Sequence, residues 1–200
     1  IAGRVHDIPD VTVSARRTPQ RNAVSYPTQV IGRKELEGLG FQNIADAVRR
    51  FAGANVKDYG GIGGLKTVSV RSLGAEHTAV VYDGVAVSNC QAGQIDIGRF
   101  SLDDIETLSL SVGQNSELMQ SARAFASAGV LELFSRDVLL DADRKYKFSG
   151  QIKGGSFGMI NPSLRWTQRL GNSTVGSLSG NFLYADGEYP FRLVNGKYVT

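Results

Sequence analysis

The sequence predicts an α+β fold in two parts, on three observations. First, residues 67–87 hold an alternating segment, Thr67 to Arg71, and a short apolar run, Thr78 to Tyr82. Period two in the first and β-branched residues in the second both mark strands. Asp83-Gly84 follows, then Val85-Ala86-Val87. Asp-Gly between such runs is a hairpin signal, because both central residues of the turn need φ > 0. Second, short helical patterns with caps and glycine stops are interleaved with strands up to residue 135. Third, after Arg136 the pattern becomes three longer alternating segments rich in aromatics.

In chain order, Asp10 to Ala15 alternates between Pro9 and Pro19 and has no adjacent hairpin partner. It reads as a frayed terminal arm, or as a strand awaiting a partner from another chain. Val30-Ile31 is a short strand, and Arg33 to Gly38 is one or two helical turns ended by glycine. Asn43 caps a helix over Ile44 to Phe51, in which Ile44, Ala47, Val48 and Phe51 share a face, and Gly53 stops it. Asn55-Val56-Lys57 begins another strand. In the next, Val68 and Val70 oppose Thr67, Ser69 and Arg71, so a half-buried strand with Arg71 projecting from it is expected. Leu73-Gly74-Ala75 breaks that pattern, and Ser88 to Gln94 is polar and turn-rich. Phe100 to Asp104 reads as a capped helical turn. Ile105 to Gly113 is an alternating strand, with Ile105, Thr107, Ser109 and Ser111 opposed to Glu106, Leu108, Leu110 and Val112. Ser121 to Ser127 is small and helical, and Val130 to Ser135 is the last strand of this part.

The second part sets apolar residues against polar ones three times. Tyr146, Phe148 and Ile152 oppose Lys145, Lys147, Ser149, Gln151 and Lys153. In residues 163–170, Leu164, Trp166 and Leu170 oppose Ser163, Arg165, Thr167 and Arg169. In residues 174–184, Leu178, Phe182 and Tyr184 oppose Ser177, Ser179 and Asn181. A soluble sheet with one buried face shows the same period. Strand length favours the outer-membrane barrel reading, since such strands run to about 9–11 residues.

Composition narrows the function classes. With 42% hydrophobic and 20% charged residues, the 200-residue chain is globular rather than disordered. The net charge of +3 comes without any Lys/Arg stripe, so no nucleic-acid partner is expected. Cys90 is the only cysteine and His6 and His77 are the only histidines, so zinc spacings are absent. Cys90 is expected to be inert, a contact residue only. Tyr59 to Thr67 (YGGIGGLKT) resembles a phosphate loop superficially. Leu65 precedes Lys66 where glycine belongs, and a strand follows where a helix is required. The dinucleotide fingerprint fails as well, since Lys66 stands at its third glycine. A mobile, exposed loop is expected instead. No nucleophile–base pair is evident, so neither an enzyme nor a cofactor is expected.

The ordered series of motifs resembles the plug domain of TonB-dependent outer-membrane transporters, followed by the first strands of their barrel. Asp10 to Ala15 with Arg16 is similar to the TonB box, and Gln29 to Leu36 to the first plug strand and short helix. Phe51-Ala52-Gly53-Ala54-Asn55-Val56 resembles the run into Pro-Gly-Val. Val70-Arg71-Ser72 resembles Ile-Arg-Gly, and Tyr82-Asp83-Gly84-Val85 the Asp-Gly-Val hairpin. Ile105 to Gly113 resembles the strand ending in an Arg-Gly-Pro turn, and Ala128 to Leu131 the Gly-Gly-Val-Ile strand. The chain departs from the pattern at Ala52 (for proline), Ser72 (for glycine), Gln114 (for proline) and Ser121 to Phe125 (for Tyr-Gly-x-Gly-Ala).

The resemblance implies an arm with a TonB box at 1–18 and a plug with a small mixed sheet and short helices at 19–137. It also implies about three antiparallel strands of a truncated barrel at 138–200. Residues 67–87 would form the middle of the plug sheet. Three strands cannot close a barrel, so a whole plug and the beginning of a barrel are expected. The implied partners are the TonB C-terminal domain, the remaining β-barrel of the same parent, outer-membrane lipid, and a small nutrient ligand such as a metal chelate. Asp10, Val11, Thr12, Val13, Ser14 and Ala15 would receive TonB. Tyr59, Gly60, Gly61, Ile62, Gly63, Gly64 and Leu65, with Asn89, Cys90, Gln91 and Gln94, would form loops facing the ligand. Arg71 reads either as a solvated strand arginine or, by resemblance, as a plug arginine paired with barrel-wall carboxylates. The implied activity is proton-motive-force-driven import across the outer membrane of a Gram-negative bacterium. A soluble periplasmic or surface ligand-binding module with a plug-like fold is the alternative.

Overall fold

The structure is a computed structural model. It describes residues 27–89, 93–113, 120–136, 138, 140, 144–171, 174–187, 194–195 and 198–199. The first part begins with strand β1 (Thr28–Gly32) and helix α1 (Arg33–Gly38), followed by helix α2 (Ile44–Val48). The Asn43 side chain accepts a hydrogen bond from the Asp46 amide at 3.0 Å, as its position before the apolar run predicts. The regular helix stops at Val48, short of the expected Phe51. Its last turn tightens to i→i+3 bonds, Arg50 N–H to Ala47 O and Phe51 N–H to Val48 O, which keep Phe51 on the buried face.

Strands β2 (Ala54–Asp58) and β3 (Lys66–Val70) form an antiparallel pair of their own. β4 (Thr78–Tyr82) and β5 (Val85–Val87) form the expected hairpin, with φ of 47° at Asp83 and 84° at Gly84. β6 (Ile105–Val112), helix α3 (Ala122–Phe125) and β7 (Gly129–Ser135) complete this part. The main sheet has the order β1-β6-β7-β4-β5, and its β4–β7 pair is parallel, so the sheet is mixed.

Three expectations are corrected here. Residues 67–87 do not lie in one sheet, because β3 pairs with β2 and only β4 and β5 join the main sheet. Nor is β3 half-buried: every residue from Lys66 to Val70 is buried, because helices and loops cover both its faces. In β6, the register shifts between Ile105 and Thr107. This bulge places the extra residue Glu106 outside the regular pairing and returns Ile105 to the core, where it packs in the same cluster as Leu108 and Leu110.

The core lies between the main sheet, α2 and β3. Ile44, Ala45, Ala47 and Val48 of α2 are fully buried, together with Ile97, Leu108, Leu110, Leu131 and Leu133. Burying each large aliphatic side chain contributes roughly 1.5–3 kcal/mol. That gain holds together helices too short to be stable alone.

The second part is an antiparallel three-stranded sheet of β8 (Tyr146–Gly154), β9 (Ile160–Arg169) and β10 (Val175–Asn181), with β9 in the middle. β9 starts at Ile160, earlier than the expected residue 163, and runs through Pro162. The proline has no N–H, but its carbonyl accepts from Phe182 N–H at 3.0 Å. The pairing resumes beyond it at an Ile160–Tyr184 bridge. Phe148, Trp166 and Leu178 stand side by side across the strands. They are exposed together with Tyr146, Ile152 and Leu164, and Ile152 is 78% accessible. No helix among the described residues is long and apolar enough to cross a membrane.

Candidate functional site

Two cations on the polar face of the three strands reach the first part. The 3₁₀ turn Leu102–Asp104 precedes β6 and presents two adjacent carboxylates. Lys153 Nζ on β8 donates to Asp103 Oδ1 at 2.6 Å, and Arg165 Nη2 on β9 donates to Asp104 Oδ1. The Lys153 and Asp103 side chains are only 13% and 16% accessible. A charge pair this shielded from water is screened far less than a surface pair. Reading the sequence alone found neither pair. The available signal was charge complementarity between an Asp-Asp turn and the Lys and Arg that alternate onto the polar strand face.

Arg71 does not project from a strand. It follows β3 in a turn, is exposed, and has φ of 52°, with Ser72 next to it at 62°. The left-handed conformation at Ser72 is one that glycine adopts without cost, and glycine is the residue the Ile-Arg-Gly pattern has there. The Arg71 amide donates to Gly53 O at 2.8 Å, which ties this turn to the end of the α2 segment. Among the described residues no carboxylate pairs with the Arg71 guanidinium.

The glycine-rich loop, residues 59–65, is the tip of the β2–β3 hairpin. Most of it is exposed, as expected, but it is tied down internally. Asp58 Oδ1 accepts from the Gly60 and Gly61 amides at 3.2 and 2.8 Å. Tyr59 N–H donates to Leu65 O at 2.9 Å. Beneath the loop, the buried Lys66 ammonium donates to Gly61 O and lies 3.2 Å from Asp58 Oδ2. Burial pushes the Asp58 carboxyl up, but the two glycine amides and Lys66 outweigh that and hold its pKa below the ordinary 3.8. The loop's tight turn needs glycine at 64, because a Cβ there would lie 2.6 Å from Gly60 Cα.

Of the second predicted loop, Cys90 and Gln91 lie outside the described residues. Asn89 is exposed, and its carbonyl accepts from Gly93 N–H at 3.0 Å. Just beyond the two loops, Asp96 Oδ1 accepts from the Lys66 amide at 3.0 Å and the Gly98 amide at 2.9 Å. Tyr59 and Gln94 line one cavity of about 420 Å³. Gly61, Ile62, Gly63 and Gly64 line another of about 690 Å³, which Lys153, Phe157 and Asn161 of the strand part also line. The first loop therefore divides between two cavities. Asp10 to Ala15 lie outside the described residues. Among the described residues no cluster of His, Cys, Asp or Glu is arranged to hold a metal ion.

A family model for the TonB-dependent receptor plug domain matches residues 20–127. Among characterised relatives, the chain is 28% identical over 160 residues to the vitamin B12 transporter BtuB of Photobacterium profundum, a match that covers 75% of this chain and 26% of that protein. The fold is similar to that of the alcaligin outer membrane receptor FauA from Bordetella pertussis, with a TM-score of 0.60 and 13% identity over 88% of this chain and 28% of that one. It is also similar to the siderophore receptor PirA from Acinetobacter baumannii, with a TM-score of 0.55 and 20% identity over 78% of this chain and 24% of that one. The chain spans about a quarter of the length of these proteins. They are transporters and receptors rather than enzymes. Because the matched model covers more than half of the chain, on a fold shared with solved receptors, the chain belongs to the TonB-dependent receptor plug domain family, whose members are outer-membrane proteins of Gram-negative bacteria.

Proposed function

We propose that residues 19–137 are the plug of a TonB-dependent transporter, that residues 1–18 are its coupling arm, and that residues 138–200 begin its barrel. The supporting observation is the two-sidedness of the β8–β10 sheet. Its polar face is ion-paired to the plug through Asp103–Lys153 and Asp104–Arg165, and its apolar face is bare. A barrel strand needs that arrangement, with the lumen on one side and lipid on the other. In this reading the remaining barrel of the parent protein completes the wall, and Arg71 meets a carboxylate of that remainder.

The plug closes the lumen until a small nutrient binds from outside. The nutrient is a siderophore–iron complex, cobalamin, haem or a similar compound. Tyr59 to Leu65, with Asn89, Cys90, Gln91 and Gln94, form the plug's share of its site. The Lys66–Asp96 hydrogen bond joins the segments that follow the two loops. The TonB C-terminal domain captures Asp10 to Ala15 by strand addition, and proton-motive force acting through TonB remodels the plug. Yielding at one edge of the plug needs only local unfolding.

The test is nutrient-limited growth and uptake in a strain deleted for the full gene, supplied in turn with siderophore–iron, cobalamin and haem. Loss of uptake of one nutrient, restored by the intact gene but not by one lacking residues 59–65, is the expected result. Unchanged uptake of the whole panel would count against import. Nothing in the relatives favours the soluble-module alternative.

A further inference from the structure

The inference rests on the transporter reading above and concerns how a pull on the arm reaches the plug's contact with the wall. Three kinds of bond meet at the Leu102–Asp104 turn. Its two carboxylates hold Lys153 and Arg165 of the strands. The Asp104 carbonyl accepts from Arg136 N–H at 2.8 Å, where the chain leaves β7 for the strand part. From the other side, Arg33 Nη1 reaches the carbonyls of Leu102, Asp103 and Ile105 at 3.3, 3.5 and 3.1 Å. The Arg33 side chain is 14% accessible, and its Nε donates to Glu37 Oε1 at 2.7 Å within the same helix.

Position in the chain makes this cluster more than a packing detail. Among the described residues, β1 is an edge strand paired with β6 alone. A load arriving from the N-terminal side crosses Thr28–Gly32 and meets Arg33 as the next residue. Arg33 is therefore the first side-chain anchor beyond the peeling strand, and what it anchors is the turn that grips the wall.

We propose that Arg33 is the catch that couples detachment of β1 to release of the plug from the wall. While β1 is seated, the guanidinium gathers three carbonyls and keeps Asp103 and Asp104 aimed at Lys153 and Arg165. When β1 peels, Arg33 leaves with α1, the carbonyls lose their cation, and the turn relaxes away from the strands. Arg33 is a positioning residue: its hydrogen bonds go to Glu37 and to the carbonyls of Leu102, Asp103 and Ile105, all within the plug.

The experiment holds the full-length receptor by its barrel in a lipid bilayer and applies a constant load through a covalent handle on the N-terminal arm. It needs neither TonB nor a nutrient. Arg33→Gln is expected to speed the first rupture about tenfold, the order for losing hydrogen bonds from a charged donor. Arg33→Lys, which keeps the charge without the planar fork, should fall between it and the wild type. Asp103→Asn should add nothing to Arg33→Gln, since both act at one step. A merely structural Arg33 would give effects that multiply, as independent sites do. Multiplying effects, or a rupture rate unchanged by Arg33→Gln, would overturn the proposal. If Arg33→Gln does not fold, Arg33→Lys combined with Asp103→Asn makes the same comparison. Failure of the arm to bind TonB would sink the coupling reading while leaving this result intact.

Discussion

Lys66 and Asp58 face each other across the last rung of the β2–β3 hairpin, with Nζ 3.2 Å from Oδ2, beneath a loop whose amides bind the same carboxylate. The pairing turns a run of glycines into a defined surface. It also sets a pH response. The folded Asp58 pKa lies below its ordinary 3.8, so the stability it contributes is complete above that value and is lost as pH falls through the folded pKa. The Gly61 amide resonance should therefore titrate with a midpoint below 3.8. Lys66→Met should move that midpoint upwards, and Asp58→Asn should leave the resonance flat. A Gly61 midpoint at or above the ordinary value would refute the account.

Gly64→Ala tests the close approach in the same loop. A Cβ at 64 would meet Gly60 Cα, C and N at 2.6, 2.7 and 2.8 Å, and backbone cannot rotate away as a side chain can. The substitution should cost about 1–3 kcal/mol in thermal or denaturant unfolding of the plug. Gly32→Ala is the control, because nothing lies within 4 Å of its added Cβ. It should change stability by less than about 1 kcal/mol.

The plug–wall pairs are tested by a double-mutant cycle on Asp104→Asn and Arg165→Gln. Their side chains are 32% and 17% accessible, so solvent screening limits the interaction. A coupling of about 1 kcal/mol in the unfolding of the full receptor is expected. Strict additivity would mean that the contact does not join the two parts.

The arm is tested with a peptide covering Asp10–Ala15 and a purified TonB C-terminal domain. Titration calorimetry should detect binding by the natural peptide. Val13→Pro should abolish it, because proline removes a ladder donor and cannot pair within a sheet. Equal binding by both peptides would rule out strand addition.

Legibility in the sequence followed the range of the forces involved. The Asp83-Gly84 turn and the Asn43 cap were both read correctly, because each is decided within four residues. The alternation of residues 145–184 correctly separated the polar and apolar strand faces. Alternation misled in β3, whose polar residues Lys66, Thr67 and Ser69 are buried. Period two says which side chains share a face, but not how many faces are covered. In β6, a single bulged residue reversed the phase of Ile105, and bulges leave no signal in alternation. The contacts of Asp103 and Asp104 with Lys153 and Arg165 went unread, because those two carboxylates were legible only as part of a helical turn.

The sequence by itself determined the order of strands and helices, the hairpin turn, the Asn43 cap, the apolar face of the later strands and the family. Those properties depend on backbone preferences and side-chain periods within a few residues. Only the tertiary structure decided that β4 runs parallel to β7, that β3 leaves the main sheet, and that Lys66 is enclosed beneath its own loop. It also decided that Asp103 meets Lys153 fifty positions away and Asp104 meets Arg165 sixty-one away. The physical reason is that a charge selects its partner only after apolar burial has brought two distant surfaces together, and local sequence does not encode which surfaces those are.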